Sequence, residues 1–289
     1  FIGGETVMQP VERFKMRGIT NYFDPVRAVK ALYAVAEYSA SRDKAYAPPP
    51  YFKVDRKAIE KLMEIREREE PKLGIGVEGF KVLAAYGIPV PSYGKAETAE
   101  EALEIADRIG YPVSMKIVSP DIVHKTDVGC VKLNVEREGV KDAFFEILHR
   151  AEKYAGAGRI EGVLVQQMVA GGKEVIVGMK RDTHFGPLIM FGLGGIYVEV
   201  FKDVSFRIAP ISKDDAMEMI KSVKAYRLLR GVRGESMSDV DSLVDVLLRF
   251  SQLCMDFPEI LEADLNPVKV FKQGKGCCAI DLKMVVRGK

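Results

Sequence analysis

EILEADLNPVKVFKQGKGCCAIDLKMVV, residues 259–286, reads as two strands folded back on each other across a glycine-marked turn. Strands are expected over 260–272 and 277–285, turned at Gly274-Lys275-Gly276. Side chains alternate along a strand, so Glu262, Asp264 and Asn266 take one face while Leu261, Ala263 and Leu265 take the other. Asp281, across the turn, has the polar parity. With Gln273 set opposite Gly276, Asn266 faces Lys283, and Asp281 becomes its diagonal neighbour, about 7–8 Å away at the backbone. Carboxylate and amide oxygens so placed suit Mg²⁺, which takes a few protein oxygens and completes its shell with phosphate and water. A solvated polar face also explains the acids. It explains less well an Asn-Pro opposite a lone Asp in an apolar strand.

Moving upstream, strands are expected over 162–168, 173–180, 187–192, 197–201 and 203–208, then helices over 212–225 and 238–256. So many closely spaced strands argue against a doubly wound parallel sheet and for a mixed α+β fold. Further upstream, helices are expected at about 56–69 and 76–86, the latter closed by Gly87, and a strand at Ile88-Pro89-Val90. Thr98 and Glu101 form a capping box for a helix that turns Ala102, Ile105 and Ile109 inward and stops at Gly110. Strand 113–118, a polar loop over 119–128 and a strand in which Val131, Leu133 and Val135 alternate with Lys132, Asn134 and Glu136 come next. A helix over about 140–154 follows.

The segment before residue 46 has a different character. Asp24-Pro25 signals a helix start, and Val26, Val29, Leu32, Tyr33 and Ala36 line one face that needs a partner. Ala47-Pro48-Pro49-Pro50 reads as a stiff extended linker. The expected division is therefore 1–45, a linker over 46–57, and a main domain over 58–289.

Charge and composition narrow the functional classes. Among 289 residues, Lys+Arg 43 against Asp+Glu 41 leaves a net charge of +2, and 47% hydrophobic content suffices for a full core. The charges are interspersed, so no basic arm for nucleic acid appears, and no apolar run is long enough to span a membrane. Cys130, Cys254, Cys277 and Cys278 lack metal-ligand spacing, and adjacent Cys277 and Cys278 point apart in a strand. A reduced, cytoplasmic protein is expected. The absence of Trp and the Lys/Glu-rich charge are compatible with a thermophile.

Three further places carry chemistry. Lys116 sits in the apolar strand PVSMKIV, where an ammonium calls for an anion unless that sheet face is wet. His124, flanked by Lys125 and Asp127 in the loop SPDIVHKTDVGC, has the surroundings of a phosphorus nucleophile, although an isolated loop histidine is commonly a plain surface residue. His149 and His184 lack such neighbours. Glu174 and Lys180 share a strand face, and Gly192-Leu193-Gly194-Gly195 is a turn open enough for phosphate to approach its amides, or simply a hairpin loop. Glu199 and Arg207 are the polar members of the strands that follow.

The ordered set GIPVP, GYPVSMKIVSPDIVHKTDVGCVKLN, VLVQQMVAGGKEVIVGMKRDTHFGP, FGLGGIYVEVFKDVSFRIAP, LRGVRGE, LEADLNPVKV and AIDLK resembles the beta subunit, or C-terminal half, of NDP-forming acyl-CoA synthetases, relatives of succinyl-CoA synthetase. The resemblance runs from about residue 58 to 286. Residues 1–45 are similar to the end of the ligase domain that precedes this half in fused members. The resemblance implies an ATP-grasp fold of two α+β lobes, preceded by a short remnant of an α/β ligase domain, and the reversible reaction of acyl-CoA, ADP and phosphate giving acid, CoA and ATP. It implies that Lys116 contacts nucleotide phosphates and His124 carries phosphate as a phosphohistidine. Gln166, Gln167, Met168 and Val169 would form the adenine-side hinge, with Glu174, Lys180, Gly194 and Gly195 also at the nucleotide. Asn266 and Asp281 would hold Mg²⁺, with Asp264 and Glu199 nearby. The implied partners are ADP or ATP and a CoA-binding alpha subunit or N-terminal half carrying the first histidine, in a hetero- or homo-oligomer.

One position departs from the family pattern: Cys130 stands where a glycine is usual, which restricts φ there. Two other readings compete, a non-catalytic nucleotide-sensing module of a protein acetyltransferase and another ATP-grasp carboxylate ligase. Keeping His124, Asn266 and Asp281 together favours the synthetase, since a sensor needs no nucleophile.

Overall fold

The computed structural model describes residues 8–42, 47–57, 59–60, 77–119, 122, 128–155, 160–194, 202–232 and 234–287. Two compact units make up the chain, Phe1–Pro48 and Pro49–Lys289. The first holds helices α1 (Met8–Met16) and α2 (Pro25–Arg42). Asp24 caps α2, its carboxylate accepting the Arg27 amide at 2.9 Å, and Pro25 opens the first turn, where a missing N–H costs nothing. Val26, Val29, Leu32 and Tyr33 form the expected stripe, and all four are exposed.

The second unit is built on two antiparallel sheets. After α3 (Glu78–Ala85) come β1 (Tyr93–Ala96), α4 (Ala99–Ile109), β2 (Val113–Val118), β3 (Val131–Val135), α5 (Val140–Ala155) and β4 (Gly162–Gln167). The small sheet has the order β1-β4-β2-β3. The chain continues through β5 (Lys173–Asp182), β6 (Gly186–Leu193), β7 (Val204–Ile208), α6 (Lys213–Ser222), α7 (Tyr226–Leu229), α8 (Val240–Asp256), β8 (Ile260–Val270), β9 (Cys277–Ala279) and β10 (Leu282–Val286). These strands form the large sheet, ordered β10-β8-β5-β6-β7, with β9 also on β8. The expected strand 197–201 and most of the expected helix 56–69 lie outside the described residues.

Each sheet has its own core. Met115, Ile117, Val163 and Val165 of the small sheet pack with Ala102, Ile105, Phe144 and Ile147 of α4 and α5. Val177, Ile189, Phe191 and Leu265 of the large sheet share a second core with Met219, Leu247 and Phe250 of α6 and α8. Each such fully buried side chain contributes roughly 1.5–3 kcal/mol. Val118 and Leu164 belong to this second core although they stem from the small sheet. By strand alternation, the face of the small sheet that carries Ser114, Lys116 and Gln166 is turned toward the large one.

Local chemistry sets the ends of the elements. Thr98 and Glu101 make the expected capping box of α4, and Ser212 with Asp215 makes a second one on α6. The helix expected over 212–225 ends at Ser222, because the Asp203 carboxylate takes the amides of Lys224 and Ala225 at 2.9 and 2.7 Å. Ile88-Pro89-Val90 is not a strand. Pro89 and Pro91 lack ladder donors, and the stretch offers the Pro89 carbonyl to the Ala279 amide at 2.8 Å. The strand is instead Tyr93–Ala96, paired with β4. The alternation expected in β3 breaks at a bulge: Val113 pairs with Val135 but Met115 with Lys132, so two residues oppose Ser114. Asn134 there has φ 54°, and Leu133 turns outward.

The deciding hairpin has a different register from the expected one. Phe271 donates to the Gly276 carbonyl and Lys275 to the Lys272 carbonyl, at 3.0 and 2.9 Å. A four-residue loop, Lys272 to Lys275, therefore replaces a two-residue one, with Gly274 and Gly276 at φ 76° and 78°. Every pairing slides by two residues. Lys283 faces Asp264, and Asn266 lies directly across from Asp281, its amide donating to the Asp281 carbonyl at 3.3 Å. An even slide leaves each side chain on its face.

Part of the expected linker is fixed to the second unit. Phe52 exchanges two hydrogen bonds with the Gln252 side chain, at 2.7 and 2.9 Å, and the Arg249 guanidinium lies 4.1 Å over the Phe52 ring. No helix among the described residues is long and apolar enough to cross a membrane.

Candidate functional site

Lys116 sits mid-strand on β2 and is only 6% exposed. Burying an ammonium demands an anion, and Asp281 supplies it, with Oδ2 3.2 Å from Nζ. The wet-face alternative for Lys116 is thereby excluded. The other Asp281 oxygen accepts the Leu282 amide at 2.9 Å. This ion pair joins the small sheet to the large one.

Gln166 lies opposite Ser114 in the β2–β4 ladder and is fully buried. Its Nε2 donates to the Ile280 carbonyl at 3.0 Å, whereas its Oε1 has no partner. Because a carbonyl accepts only, that bond fixes which end of the amide is oxygen. The following residues are held from both sides. The Gln167 amide donates to the Ser92 carbonyl at 2.8 Å and the Met168 amide to the Pro112 carbonyl at 3.3 Å. Lys269 Nζ donates to the Val169 carbonyl at 2.8 Å and lies 3.8 Å from Glu174.

On the large sheet, Asp264 Oδ1 is the second buried oxygen without a partner. Burial raises the Asp264 carboxyl above its usual range; the Asn266 side-chain hydrogen bond and the Lys283 ammonium pull it down, while the Asp281 charge adds to the rise. Asp264, Asn266 and Asp281 thus gather three oxygen-bearing side chains beside the buried Lys116. Among the described residues no group of three His, Cys, Asp or Glu forms a metal cage. Two carboxylates and an amide, one oxygen of them buried and unsatisfied, do fit a divalent cation that takes its remaining ligands from phosphate and water.

Other expected residues are less closely gathered. Glu174 is exposed, with its carbonyl accepting the Gly194 amide at 2.8 Å; a Cβ on Gly194 would press on Glu174 at 3.2 Å. The Lys180 side chain is 80% exposed and 3.7 Å from Glu262. His124, Gly195 and Glu199 lie outside the described residues. His149 and His184 are exposed. Cys130 is buried without a positive φ, which falls to its neighbour Gly129 at 67°, so its side chain is accommodated in the core of the small sheet.

Two lysines were not among the expected site residues. Lys269 ties Val169 to Glu174, and Lys283 stands opposite Asp264. The signal for Lys283 was its parity with Asp281, two residues before it, on the polar face of the hairpin.

The ATP-grasp domain family matches residues 67–286. The chain is 53% identical over 287 residues to acetate–CoA ligase [ADP-forming] I of Archaeoglobus fulgidus, covering 99% of this chain and 42% of that protein. It is 43% identical over 234 residues to the beta subunit of acetate–CoA ligase [ADP-forming] I of Pyrococcus furiosus, covering 81% of this chain and 100% of that subunit. The chain thus spans less than half the length of the first of these relatives and the whole of the second. A solved structure of the dinucleotide-forming acetyl-coenzyme A synthetase 1 of Ca. Korarchaeum cryptofilum aligns with a TM-score of 0.68 at 41% identity, over 79% of this chain and 99% of that one. That structure holds coenzyme A and Mg-AMPPCP, with its phosphohistidine segment pointing towards the nucleotide binding site.

Proposed function

The chain belongs to the ATP-grasp family, alongside the beta subunits of ADP-forming acetate–CoA ligases, and on that premise we propose that it is the nucleotide-binding, phosphoryl-transferring part of an ADP-forming acyl-CoA synthetase. The overall reaction on this reading is acyl-CoA, ADP and phosphate giving acid, CoA and ATP. A CoA-binding alpha subunit or N-terminal half supplies the acyl chemistry and the first phosphohistidine. The assembly is a hetero- or homo-oligomer, and the four unpaired cysteines support a reducing, cytoplasmic setting.

The observation that carries this reading is the Lys116–Asp281 pair between the sheets, flanked by two buried oxygens with no partner, Gln166 Oε1 and Asp264 Oδ1. Unsatisfied buried oxygens are costly, and a ligand that donates to one while a cation meets the other removes that cost. The base lies along Gln166, Gln167, Met168 and Val169, with Glu174 and Gly194 close by. Lys116 reaches the phosphates, and Lys180 lies farther along the same strand as Glu174. Asn266, Asp281 and Asp264, with Glu199, hold Mg²⁺, which supplies charge neutralisation at the phosphates when bound.

His124 carries the phosphoryl group in this proposal. Its imidazole nitrogen gives the group up to a β-phosphate oxygen of ADP: the N–P bond breaks, its electron pair returns to the ring, and an O–P bond forms. Such a transfer needs positioning and charge balance more than proton movement. A buried ammonium within 3.2 Å of a carboxylate supplies a fixed charge that needs no rearrangement during the step.

The test is labelling with γ-labelled ATP and Mg²⁺, with the CoA-binding half present, beside His124→Ala. Acid-labile, base-stable label on the unaltered chain alone is expected. Equal label on both chains, or none on either while the nucleotide stays bound, would remove His124 from the mechanism.

A further inference from the structure

The open face of the large sheet carries alternating charge that runs away from the hinge. Lys269 marks the hinge end through its contacts with Val169 and Glu174. Going back along β8, Asn266 lies across from Asp281, Asp264 across from Lys283, and Glu262 between Val285 and Lys180. Strand alternation keeps Glu262, Asp264, Asp281 and Lys283 on the same face.

The lysines along this line differ in what they have left to offer. Lys116 already gives one donor to Asp281 at 3.2 Å and turns the others to the phosphates on the reading above, Lys180 lies 3.7 Å from Glu262, and Lys269 is held by the Val169 carbonyl. Lys283 is exposed, and among the described residues no carboxylate comes within ion-pairing distance of it. It nevertheless projects on the side where Asp264 and Asp281 lie, one step farther from the hinge than Asp281. With the base at the hinge and Mg²⁺ at these two acids, that is the end where the terminal phosphoryl group arrives. Phosphoryl transfer spreads negative charge over three oxygens, and an ammonium with free donors is the group able to meet it.

We propose that Lys283 is a catalytic residue whose ammonium binds the phosphoryl group in transit between the histidine and the nucleoside diphosphate. This rests on the function proposed above. Lys283 stays protonated throughout and contributes only N–H donors; the bonds exchanged are the N–P and O–P bonds already described. A lysine that merely balances Asp264 and Asp281 acts on ADP and ATP alike. One that contacts the terminal phosphoryl group acts on the triphosphate alone.

The experiment is calorimetric titration of the full chain with Mg-ADP and with the β,γ-methylene analogue of Mg-ATP, for the unaltered protein, Lys283→Ala and Lys283→Arg. Lys283→Ala is expected to weaken the triphosphate analogue by about tenfold or more, the order of one charge-assisted hydrogen bond. ADP should stay within about twofold, and Lys283→Arg should recover much of the loss. Equal weakening of both nucleotides, or of neither, overturns the assignment while leaving the nucleotide site intact. An unaltered chain that binds neither nucleotide removes the functional reading itself, and this inference with it.

Discussion

Lys116 Nζ and Asp281 Oδ2, 3.2 Å apart, form an ion pair that joins the small sheet to the large one at the site. Their burial is unequal: the lysine side chain is 8% exposed and the aspartate 34%. The desolvation cost therefore falls mainly on the ammonium, and Asp281 keeps both water and the Leu282 amide. Lys116→Met removes that cost and leaves no buried charge alone. Stability is expected to change by no more than about 1 kcal/mol, while nucleotide affinity falls at least about tenfold. Thermal unfolding beside calorimetric titration checks both; a collapsed fold would make Lys116 structural instead.

Gln166 yields a prediction about the base. Its Oε1 is a buried acceptor pointing away from the Ile280 carbonyl. Adenine offers an amino donor at the position where guanine carries a carbonyl. A site built to accept a hydrogen bond rejects a ligand that cannot give one, by more than a bare apolar pocket does. ADP is expected to bind at least about tenfold tighter than GDP, and Gln166→Leu should narrow that ratio mainly by weakening ADP. A ratio unmoved by the substitution would take Gln166 away from the base.

What the sequence revealed was what is encoded within a few residues. The Thr98–Glu101 capping box, Asp24 ahead of Pro25, and the polar parity of Asp264, Asn266 and Asp281 all depend on neighbours or on strand period. The pairing of Asn266 with Asp281 depends on the length of a loop, and two glycines two residues apart in FKQGKG suit a two-residue turn as readily as the four-residue one that forms. The early end of α6 depends on Asp203, a residue nineteen positions before Ser222 that captures two amides. Lys116 was undecidable locally, since a strand lysine is wet or buried according to what the other sheet brings to it.

On the proposed function, Asp264 would couple Mg²⁺ binding to stability. An unsatisfied carboxylate oxygen in a buried position destabilises the ligand-free protein. Asp264→Asn is expected to raise the ligand-free midpoint by a few degrees, on the order of ~1 kcal/mol for a protein of this size. It should also abolish most of the extra stabilisation that Mg²⁺ gives to ADP binding. Titrating Mg²⁺ against the melting midpoint at fixed ADP, with EDTA as the blank, separates these effects. An undiminished Mg²⁺ response in Asp264→Asn would leave Asn266 and Asp281 as the only ligands on this hairpin.

Burial pushes the thiols of Cys277 and Cys278 up to about 11 from an ordinary value near 9. Between those values the folded chain keeps two protons that the unfolded chain gives up. Their contribution to stability is therefore full below about pH 9 and is lost as pH rises toward 11. Urea midpoints at pH 7.5, 9 and 10.5 should fall more steeply for the unaltered chain than for Cys277→Ala/Cys278→Ala. The same upward shift keeps both thiols protonated and slow toward disulfide reagents at pH 7.5. Rapid modification of either in the native chain would contradict the burial.

Gly162 tests how the small sheet is assembled. It opens β4 with φ 128°, and a Cβ there would strike the Ala96 carbonyl, the last residue of β1. The obstacle is backbone, which has no rotamer to escape into, and the conformation itself disfavours any L side chain. Gly162→Ala is expected to cost about 2–4 kcal/mol in urea unfolding. Gly110→Ala serves as the control: it also has a positive φ, 91°, but nothing lies near its added methyl, so only the conformational cost of roughly 1–2 kcal/mol should appear. Because β4 carries Gln166, displacement at Gly162 should also weaken ADP binding, whereas Gly110→Ala should not. If the two variants lost the same stability and the same affinity, the contact between β1 and β4 would not be what positions the hinge.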